Sequence, residues 1–280
     1  MSTIVLPKEI KLATEDAHGH HEHAAPGFWR HYIFSTDHKM IAKQFLFSSS
    51  FFLLVGGLLA LVVRLQLGWP DHTGWFYKMM SGVFSSIFSE KMITGGIILP
   101  EFYNSAFTMH ATFMIFFAVM PFLMGTFANF LIPLQIGAGD MAFPKLNMAS
   151  FWLALLAGLI MMSGFLVPGG AAGGGWTSYP TLSAVPELSG VTWGQNLWLI
   201  SLFISGVSSL LGAINYITTI VNMRAPGMSW LRLPLPIWAI FVTAILLLLA
   251  VPVLASALVL LLFDRTLGTS FFIPHGLLAA

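Results

Sequence analysis

Residues 107–121 read FTMHATFMIFFAVMP, an apolar run interrupted by a single histidine, His110. This composition is typical of a membrane-spanning helix, which needs about 20 mainly apolar residues to cross the hydrocarbon core. An ionisable side chain within such a helix is costly and usually has a function. The stretch therefore predicts a membrane helix and raises the question of what His110 binds.

The whole chain has the composition of an integral membrane protein. Of its 280 residues, 57% are hydrophobic and only 8% are charged, and its mean hydropathy is +0.84. A soluble domain carries about 25% charged residues. The net charge of +1 gives no indication of a nucleic-acid partner, so we expect none. Cysteine is absent, which excludes disulfides and thiolate metal sites.

Charged residues divide the sequence into apolar segments of membrane-spanning length. Helix is the form in which one segment satisfies its own backbone hydrogen bonds in lipid. We predict an all-α integral membrane protein with a polar, His-rich tail at residues 1–35 and a membrane domain at residues 36–280. The five predicted transmembrane helices lie at about residues 41–67, 103–131, 148–167, 195–222 and 236–263.

Basic residues predict the orientation of these helices, because lysine and arginine are enriched in cytoplasmic loops. Eight of them share the side of the N-terminus and four lie on the opposite side. The eight are Lys8, Lys11, Arg30, Lys39, Lys43, Lys145, Arg224 and Arg232, and the four are Arg64, Lys78, Lys91 and Arg265. We therefore predict a cytoplasmic N-terminus and tail.

Two ionisable side chains are expected on the outer side of the membrane domain. His110 lies about two turns into the second predicted helix, and Arg64 lies at the outer end of the first, so we expect both at similar depth. An imidazole that ligates iron and an arginine that meets a polar ring substituent would suit a haem. The alternatives are a hydrogen bond between helices for His110 and snorkelling to the interface for Arg64.

A second group of polar residues lies towards the cytoplasmic side. Its members are Asn129, Asp140, Asn147, Ser208, Ser209 and Asn215. A carboxylate at a mouth, followed inward by amides and hydroxyls, suits a water-filled proton path in which ordered waters bridge the polar groups. The alternatives are helix capping by Asp140 and hydrogen bonds between helices for the other residues.

A series of longer motifs resembles subunit I of the haem–copper oxygen reductases, in the cytochrome c oxidase branch. In chain order these are STDHKMI, the arginine of the first helix, TMHATFMIFFAVMP, IPLQIGAGDMAFPKLN, GWTSYPTLS, GVSSLLGAINYITTIVNMRAPGM and VPVLASALVLLLFDRTLGTSFF. The resemblance extends from about residue 31 to residue 272. It implies a terminal oxidase that accepts electrons from cytochrome c, reduces oxygen to water, and takes up or pumps protons.

The resemblance also implies roles for individual residues. His110 is similar to an axial ligand of the low-spin haem, expected to be a-type, and Arg64 resembles the arginine that binds the haem formyl group. Asp140 resembles the mouth of the D-type proton channel. The residues that match the channel lining are Asn129, Asn147, Ser208, Ser209 and Asn215. Trp176 is similar to a loop tryptophan near the cover of the active site.

The family has twelve core helices, of which the sequence predicts five here. We therefore expect the N-terminal portion of a subunit I, or a split subunit, that is inactive alone and contains no catalytic residue of its own. Copper and the oxygen-binding haem are expected only with the remaining helices, and His275 matches none of the family's ligands.

The resemblance implies partners and a location as well. The partners are the remainder of subunit I, subunits II and III, cytochrome c and membrane lipid, and the location is a bacterial inner (plasma) membrane. The alternatives are a quinol oxidase subunit I and a non-catalytic haem-anchoring or assembly fragment.

Overall fold

The computed structural model describes residues 27–70, 74–87, 93–94 and 97–274. Its helices are α1 His38–Gly68, α2 Trp75–Ile87, α3 Pro100–Ile136, α4 Pro144–Ser163, α5 Pro180–Ala184, α6 Pro186–Ser189, α7 Trp193–Asn222 and α8 Leu235–Leu267. Two short strands, β1 Ile93–Thr94 and β2 Ile97–Ile98, pair antiparallel between α2 and α3.

Within the described residues, five helices are long and apolar enough to cross a membrane: α1, α3, α4 with its following turn to Leu166, α7 and α8. This confirms the predicted all-α membrane fold with five spanning helices. Each helix begins slightly before its predicted start.

Residues 1–35 form a unit of their own, which we describe separately from residues 36–280. Its described part contains one π-helical turn at Trp29–Ile33. Residues 1–26 of the predicted His-rich tail lie outside the described residues, and so does His275.

Local chemistry accounts for the ends of the first two membrane helices. α1 begins after Asp37, whose side chain accepts a hydrogen bond from the Met40 amide at 3.1 Å, as an N-cap does. α3 ends at Ile136. The next residue, Gly137, has a φ of 75°, in the left-handed region that glycine adopts without strain. A tight loop follows and leads into α4 at Pro144.

The middle of α3 departs from regular α-helix. Residues Phe113–Val119 and Pro121–Ala128 are π-helical, between α-helical segments at Pro100–Thr112 and Asn129–Ile136. Pro121 has no backbone N–H to donate to the preceding turn, which is a common cause of irregularity inside a helix. His110 and Asn129, one from each group of predicted site residues, lie in the α-helical segments on either side of this stretch.

The spanning helices pack closely around aromatic side chains. α7 packs between α4 and α8, while α1 packs mainly along α3. Phe52 of α1, Phe113 and Phe117 are buried together in the largest core cluster. A Cβ atom at Gly158 of α4 would lie only 2.1 Å from the Phe52 ring, so glycine allows this close approach. By contrast, α8 exposes a row of leucine and valine side chains, as expected for a surface in contact with lipid.

Candidate functional site

His110 is held by a backbone group of the neighbouring helix. Its Nδ1 atom lies 2.8 Å from the carbonyl oxygen of Gly56 in α1. A carbonyl oxygen only accepts hydrogen bonds, so Nδ1 carries the proton in the neutral ring and Nε2 keeps its lone pair. A histidine that ligates a metal usually donates its other ring N–H in this way. The contact orients His110 for ligation through Nε2.

The partner of His110 lies at a point where the two helices approach closely. A Cβ atom at Gly56 would lie 2.9 Å from the sulfur atom of Met114 and 3.5 Å from Phe113. A larger residue there would push α1 away from α3. Glycine at position 56 therefore sets the distance over which the His110 ring reaches the carbonyl oxygen.

Arg64 lies on the same helix as Gly56 but further along it. The two residues are eight positions apart, which corresponds to about 12 Å along a helix. Since His110 is level with Gly56, the expectation of similar depth for His110 and Arg64 was wrong by about two turns. Arg64 is exposed and forms no hydrogen bond or ion pair with the described residues. A long side chain that points back towards the start of its helix would shorten the gap.

These residues fit one half of a haem site. One imidazole nitrogen is available to iron, and an arginine without a partner lies two turns away. Of the described histidines, His38 lies eighteen positions before Gly56 on α1, or about 27 Å away, so it cannot be a second axial ligand. No cluster of three histidine or acidic residues that could hold a metal occurs in the described part of the chain.

Asp140 lies in the loop between α3 and α4, half-buried. One of its carboxylate oxygens accepts a hydrogen bond from the Met141 amide at 2.7 Å. It does not cap α4, because the N-cap of that helix is Phe143 and no side chain caps the first turn. The capping alternative considered for Asp140 is therefore wrong, and no other hydrogen bond to the carboxylate occurs among the described residues.

Three asparagines lie beneath this loop, one on each of three helices, and all are fully buried. The side-chain oxygen of Asn215 in α7 accepts a hydrogen bond from the Phe143 amide at 2.9 Å. The amide nitrogen of Asn129 donates to Gly125 and Tyr216, but its oxygen has no partner, and neither polar atom of the Asn147 side chain has one. Buried amide atoms usually bind protein groups or ordered water. The unpaired atoms of Asn129 and Asn147 are suited to binding water beneath Asp140.

A cavity of about 40 Å³ continues inward between α1, α3, α4, α7 and α8. Four serines line it: Ser150, Ser205, Ser208 and Ser209. The hydroxyl groups of Ser208 and Ser209 donate to the carbonyl oxygens of Ser150 at 2.6 Å and Ser205 at 3.0 Å. Each hydroxyl oxygen can still accept a hydrogen bond. The predicted Ser208 and Ser209 therefore lie together at one cavity, whose lining is otherwise mainly apolar.

Sequence reasoning missed Ser150, Ser205 and Tyr216, which also line this cavity. Their helical spacing could have identified them. Ser150 follows Asn147 by three positions and Ser205 precedes Ser209 by four, so each shares a helix face with a predicted residue.

Trp176 lies in the glycine-rich loop that follows α4. Its side chain is half-exposed, and its ring centroid lies 6.4 Å from that of Phe116 in α3. The preceding amide, that of Gly175, donates to the Thr108 hydroxyl at 2.9 Å. Thr108 lies two residues before His110, so the loop is attached to the same helix as the candidate haem ligand.

Arg265, at the end of α8, binds the second half of the segment between α4 and α7. Its guanidinium group donates to the Asn196 side chain at 2.6 Å, to the Thr192 carbonyl at 2.7 Å and to the Val191 carbonyl at 3.1 Å. It also donates to the carbonyl of Ser183. One side chain thus connects α8 to the loop between α4 and α7 and to the start of α7.

The family described as "Cytochrome C and Quinol oxidase polypeptide I" matches residues 40–280. The chain belongs to this family. The match includes His110, Arg64, Asp140 and the buried asparagines, and it confirms the resemblance seen in the sequence motifs. It is the catalytic-subunit family of oxidoreductases that bind haem and copper.

Individual relatives agree with this assignment. The chain is 41% identical to "Cytochrome c oxidase subunit 1" of Thermostichus vulcanus, over 91% of the chain and 41% of that protein. It is 44% identical to the protein of the same name from Synechocystis, over 89% of the chain and 40% of the relative. For "Alternative cytochrome c oxidase subunit 1" of Bradyrhizobium diazoefficiens, identity is 40% over 88% of the chain and 38% of the relative. The chain thus spans about two-fifths of the length of these relatives.

Proposed function

We propose that this chain is the N-terminal part of the haem-bearing subunit I of a terminal respiratory oxidase that oxidises cytochrome c and reduces oxygen to water. The observation that carries the proposal is the contact between His110 and the Gly56 carbonyl, which leaves Nε2 available to iron. Membership of the oxidase family and the names of the relatives support it. Alone, the chain is proposed to be inactive, since its described residues contain no group of three histidine or acidic residues that could hold a metal.

His110 and Arg64 are the residues proposed to hold the low-spin haem, expected to be a-type. A haem bound there supplies an iron that accepts and donates single electrons. His110 would bind the iron through Nε2, with its ring held by the Gly56 carbonyl. Arg64 directs its positive charge towards a polar ring substituent, for which the formyl group is proposed. A positive charge held inside a membrane segment needs such a partner.

Asp140 is proposed to take up protons from the cytoplasmic side. Its carboxylate has one oxygen held by the Met141 amide, and the other is available to exchange a proton with water. Asn129, Asn147 and Asn215 are buried below it and would bind the first ordered waters. Ser208 and Ser209 face the next cavity, so the chain offers polar groups from the loop to the middle of the bundle. Uptake and pumping of protons by the assembled oxidase follow from this path.

The proposed assembly contains the remainder of subunit I, oxidase subunits II and III, cytochrome c as donor, and the surrounding lipid. Copper and the oxygen-binding haem would be held by the remainder of subunit I. We place the complex in the inner (plasma) membrane of a bacterium, with the N-terminus cytoplasmic. The excess of basic residues on that side supports the orientation.

A quinol oxidase is the second candidate, because the family description names quinol oxidases together with cytochrome c oxidases. The relatives compared above carry the cytochrome c name, which favours cytochrome c as the donor. Oxygen uptake by the purified complex, measured with reduced cytochrome c and separately with a quinol, distinguishes the two.

The haem assignment is tested with His110→Ala in the assembled oxidase. We expect loss of the low-spin haem absorption with the subunits still assembled. The matched control is His38→Asn, which keeps a donor near the Asn129 carbonyl that His38 contacts at 2.9 Å and should leave the haem spectrum intact. An unchanged low-spin spectrum in assembled His110→Ala would refute the assignment.

A further inference from the structure

Tyr216 of α7 lies between the buried asparagines and the serine-lined cavity, and the proton path proposed above assigns it no role. Its side chain is 3% exposed. Its hydroxyl group contacts the side chain of Asn129, and the residue also lines the cavity. A buried hydroxyl group is costly unless it is hydrogen-bonded. The partners of this hydroxyl group therefore decide what Tyr216 can do.

The Tyr216 ring extends from the level of the asparagines towards the middle of the bundle. Side chains in a helix lean towards its N-terminus, which in α7 is the end remote from the Asp140 loop. A Cβ atom added at Gly212, one turn earlier in α7, would lie 3.5 Å from the Tyr216 hydroxyl oxygen. The cavity-lining Ser208 and Ser209 lie about one turn earlier again. The hydroxyl group thus lies on the way from the asparagines to the serines.

The hydrogen bonds around Tyr216 have fixed directions. Its hydroxyl group lies 2.8 Å from the carbonyl oxygen of Met124, which only accepts, so the phenol hydrogen is committed to that bond. The phenol oxygen accepts a hydrogen bond from the side-chain nitrogen of Asn129 at 3.2 Å. The same nitrogen donates to the Gly125 carbonyl at 2.6 Å. Both amide hydrogens of Asn129 are therefore used.

The π-helical stretch of α3 makes this arrangement possible. Met124 and Gly125 both lie in the π-helical segment Pro121–Ala128. The backbone amide of Asn129 donates to the Thr126 carbonyl, whereas in a regular α-helix it would donate to the carbonyl four residues back, that of Gly125. The Gly125 carbonyl is thus left to the Asn129 side chain. Departures of this kind inside helices are frequent at functional sites.

Asn129 is left with one free hydrogen-bonding function, that of an acceptor. Its side-chain oxygen is buried and has no partner among the described residues. The amide cannot turn over without breaking its bonds to Tyr216 and Gly125. A water molecule bound to Asn129 must therefore donate a hydrogen to it. Tyr216 fixes the amide, and the amide fixes the orientation of that water.

We propose that Tyr216 is a positioning residue of the proton path, which holds Asn129 with its oxygen as the acceptor for a water of the path. Tyr216 does not pass on a proton itself, because its own hydrogen is committed to the Met124 carbonyl, which has no hydrogen to return. The cavity of about 40 Å³ has space for about three waters at roughly 10–15 Å³ each. This inference rests on the proposed function.

Tyr216→Phe in the assembled oxidase tests the inference, because it removes the hydroxyl group alone. We expect proton uptake, followed with a pH-indicating dye during a single turnover, to slow about tenfold, which one hydrogen bond can account for. The low-spin haem spectrum should stay unchanged. The matched control is Tyr77→Phe, a buried tyrosine of α2 outside the path, which should take up protons at the wild-type rate.

A double-mutant cycle tests whether Tyr216 acts through Asn129. Asn129→Leu keeps the size of the side chain and removes its oxygen, so it should slow uptake at least as much as Tyr216→Phe. The variant that combines both changes should be no slower than Asn129→Leu, because effects that pass through one residue do not add.

Infrared spectroscopy gives a readout that looser packing alone would not move. In oxidase with isotope-labelled asparagine, the side-chain carbonyl band of Asn129 is assigned by its loss in Asn129→Leu. That band should shift in Tyr216→Phe, where the amide loses one of its two fixed partners. It should stay in place in Tyr77→Phe.

Several results would overturn the inference and leave the proposed path standing. These are wild-type uptake in Tyr216→Phe while Asn129→Leu is slow, an unmoved carbonyl band, and losses that add in the double variant. Loss of the haem spectrum in Tyr216→Phe would also overturn it, because the hydroxyl group would then have a structural role. Wild-type uptake in Asn129→Leu would overturn the proposed path and this inference with it.

Discussion

The Nδ1 atom of His110 and the carbonyl oxygen of Gly56 are 2.8 Å apart, which ties an ionisable side chain in the first third of α3 to the backbone of α1. The glycine is needed at this position for its small size, since Met114 occupies the space beside it. Ring orientation therefore depends on how closely two helices pack. Small residues at helix contacts have this effect in membrane proteins.

Gly56→Val should disturb the haem site without touching His110. The added methyl groups would collide with Met114 and separate α1 from α3, at a cost of about 1–3 kcal/mol for overpacking. We expect a shifted low-spin haem band and a lower thermal stability of the oxidase. Gly57→Val is the matched control, because a Cβ atom there meets nothing within 4 Å. Identical spectra for the two variants would show that the contact does not orient the ring.

Arg64→Met should leave the low-spin haem bound but change its electronic properties. Loss of a positive charge near the ring favours the oxidised form, so the midpoint potential should fall, on the order of 60 mV for one charge-assisted hydrogen bond. The absorption band should shift to the blue if the formyl group is the partner. Redox titration and the visible spectrum measure both effects, and Arg64→Lys should preserve most of the potential. An unmoved band and potential would favour snorkelling.

Asp140→Asn should stop proton uptake at the mouth of the path. The amide keeps the shape of the side chain but cannot exchange a proton, so we expect turnover to fall about a hundredfold with haem content intact. Oxygen consumption and proton release in vesicles measure the change. Asp37→Asn is a suitable control because Asn replaces Asp well as an N-cap. Wild-type turnover and pumping in Asp140→Asn would exclude the carboxylate as the uptake group.

Deletion of residues 1–24 should leave haem content and turnover close to those of the full chain. This stretch is polar and His-rich and has no apolar face with which to pack. Metal analysis of the purified complex checks whether the histidines hold an ion. Loss of a metal together with activity would contradict the expectation and give the tail a function.

The spanning helices could be predicted from the sequence because charge is so rare in it. Apolar runs between charged residues must cross the membrane as helices, and each of the five predicted runs lies in a described helix that is long and apolar enough to do so. Helix ends were less certain, and α3 shows why. It continues through Pro121 and Pro133 to Ile136, beyond the predicted end near residue 131, because packing against α1 stabilises it across both prolines. Propensity at single positions is weaker than such packing.

The candidate sites could be predicted residue by residue but not in their contacts. Polarity within apolar runs identified His110, Asp140 and the asparagines. The relative depth of Arg64 and His110 could not be derived, since it depends on which residue of α1 faces His110 across the helix contact. Ser150 and Ser205 were missed because a hydroxyl within a membrane helix often bonds only to its own backbone.

The π-helical stretch of α3 changes the direction around the helix axis in which side chains at its two ends point. Each wider turn holds more residues than an α-turn, so Phe113–Ala128 rotates Asn129 relative to His110 by a different angle from a uniform α-helix. The π-helical stretch thus sets a fixed angular offset between His110 near one end of α3 and Asn129 near the other. Straightening it into ideal α-helix would turn one end out of alignment even if every side chain were kept.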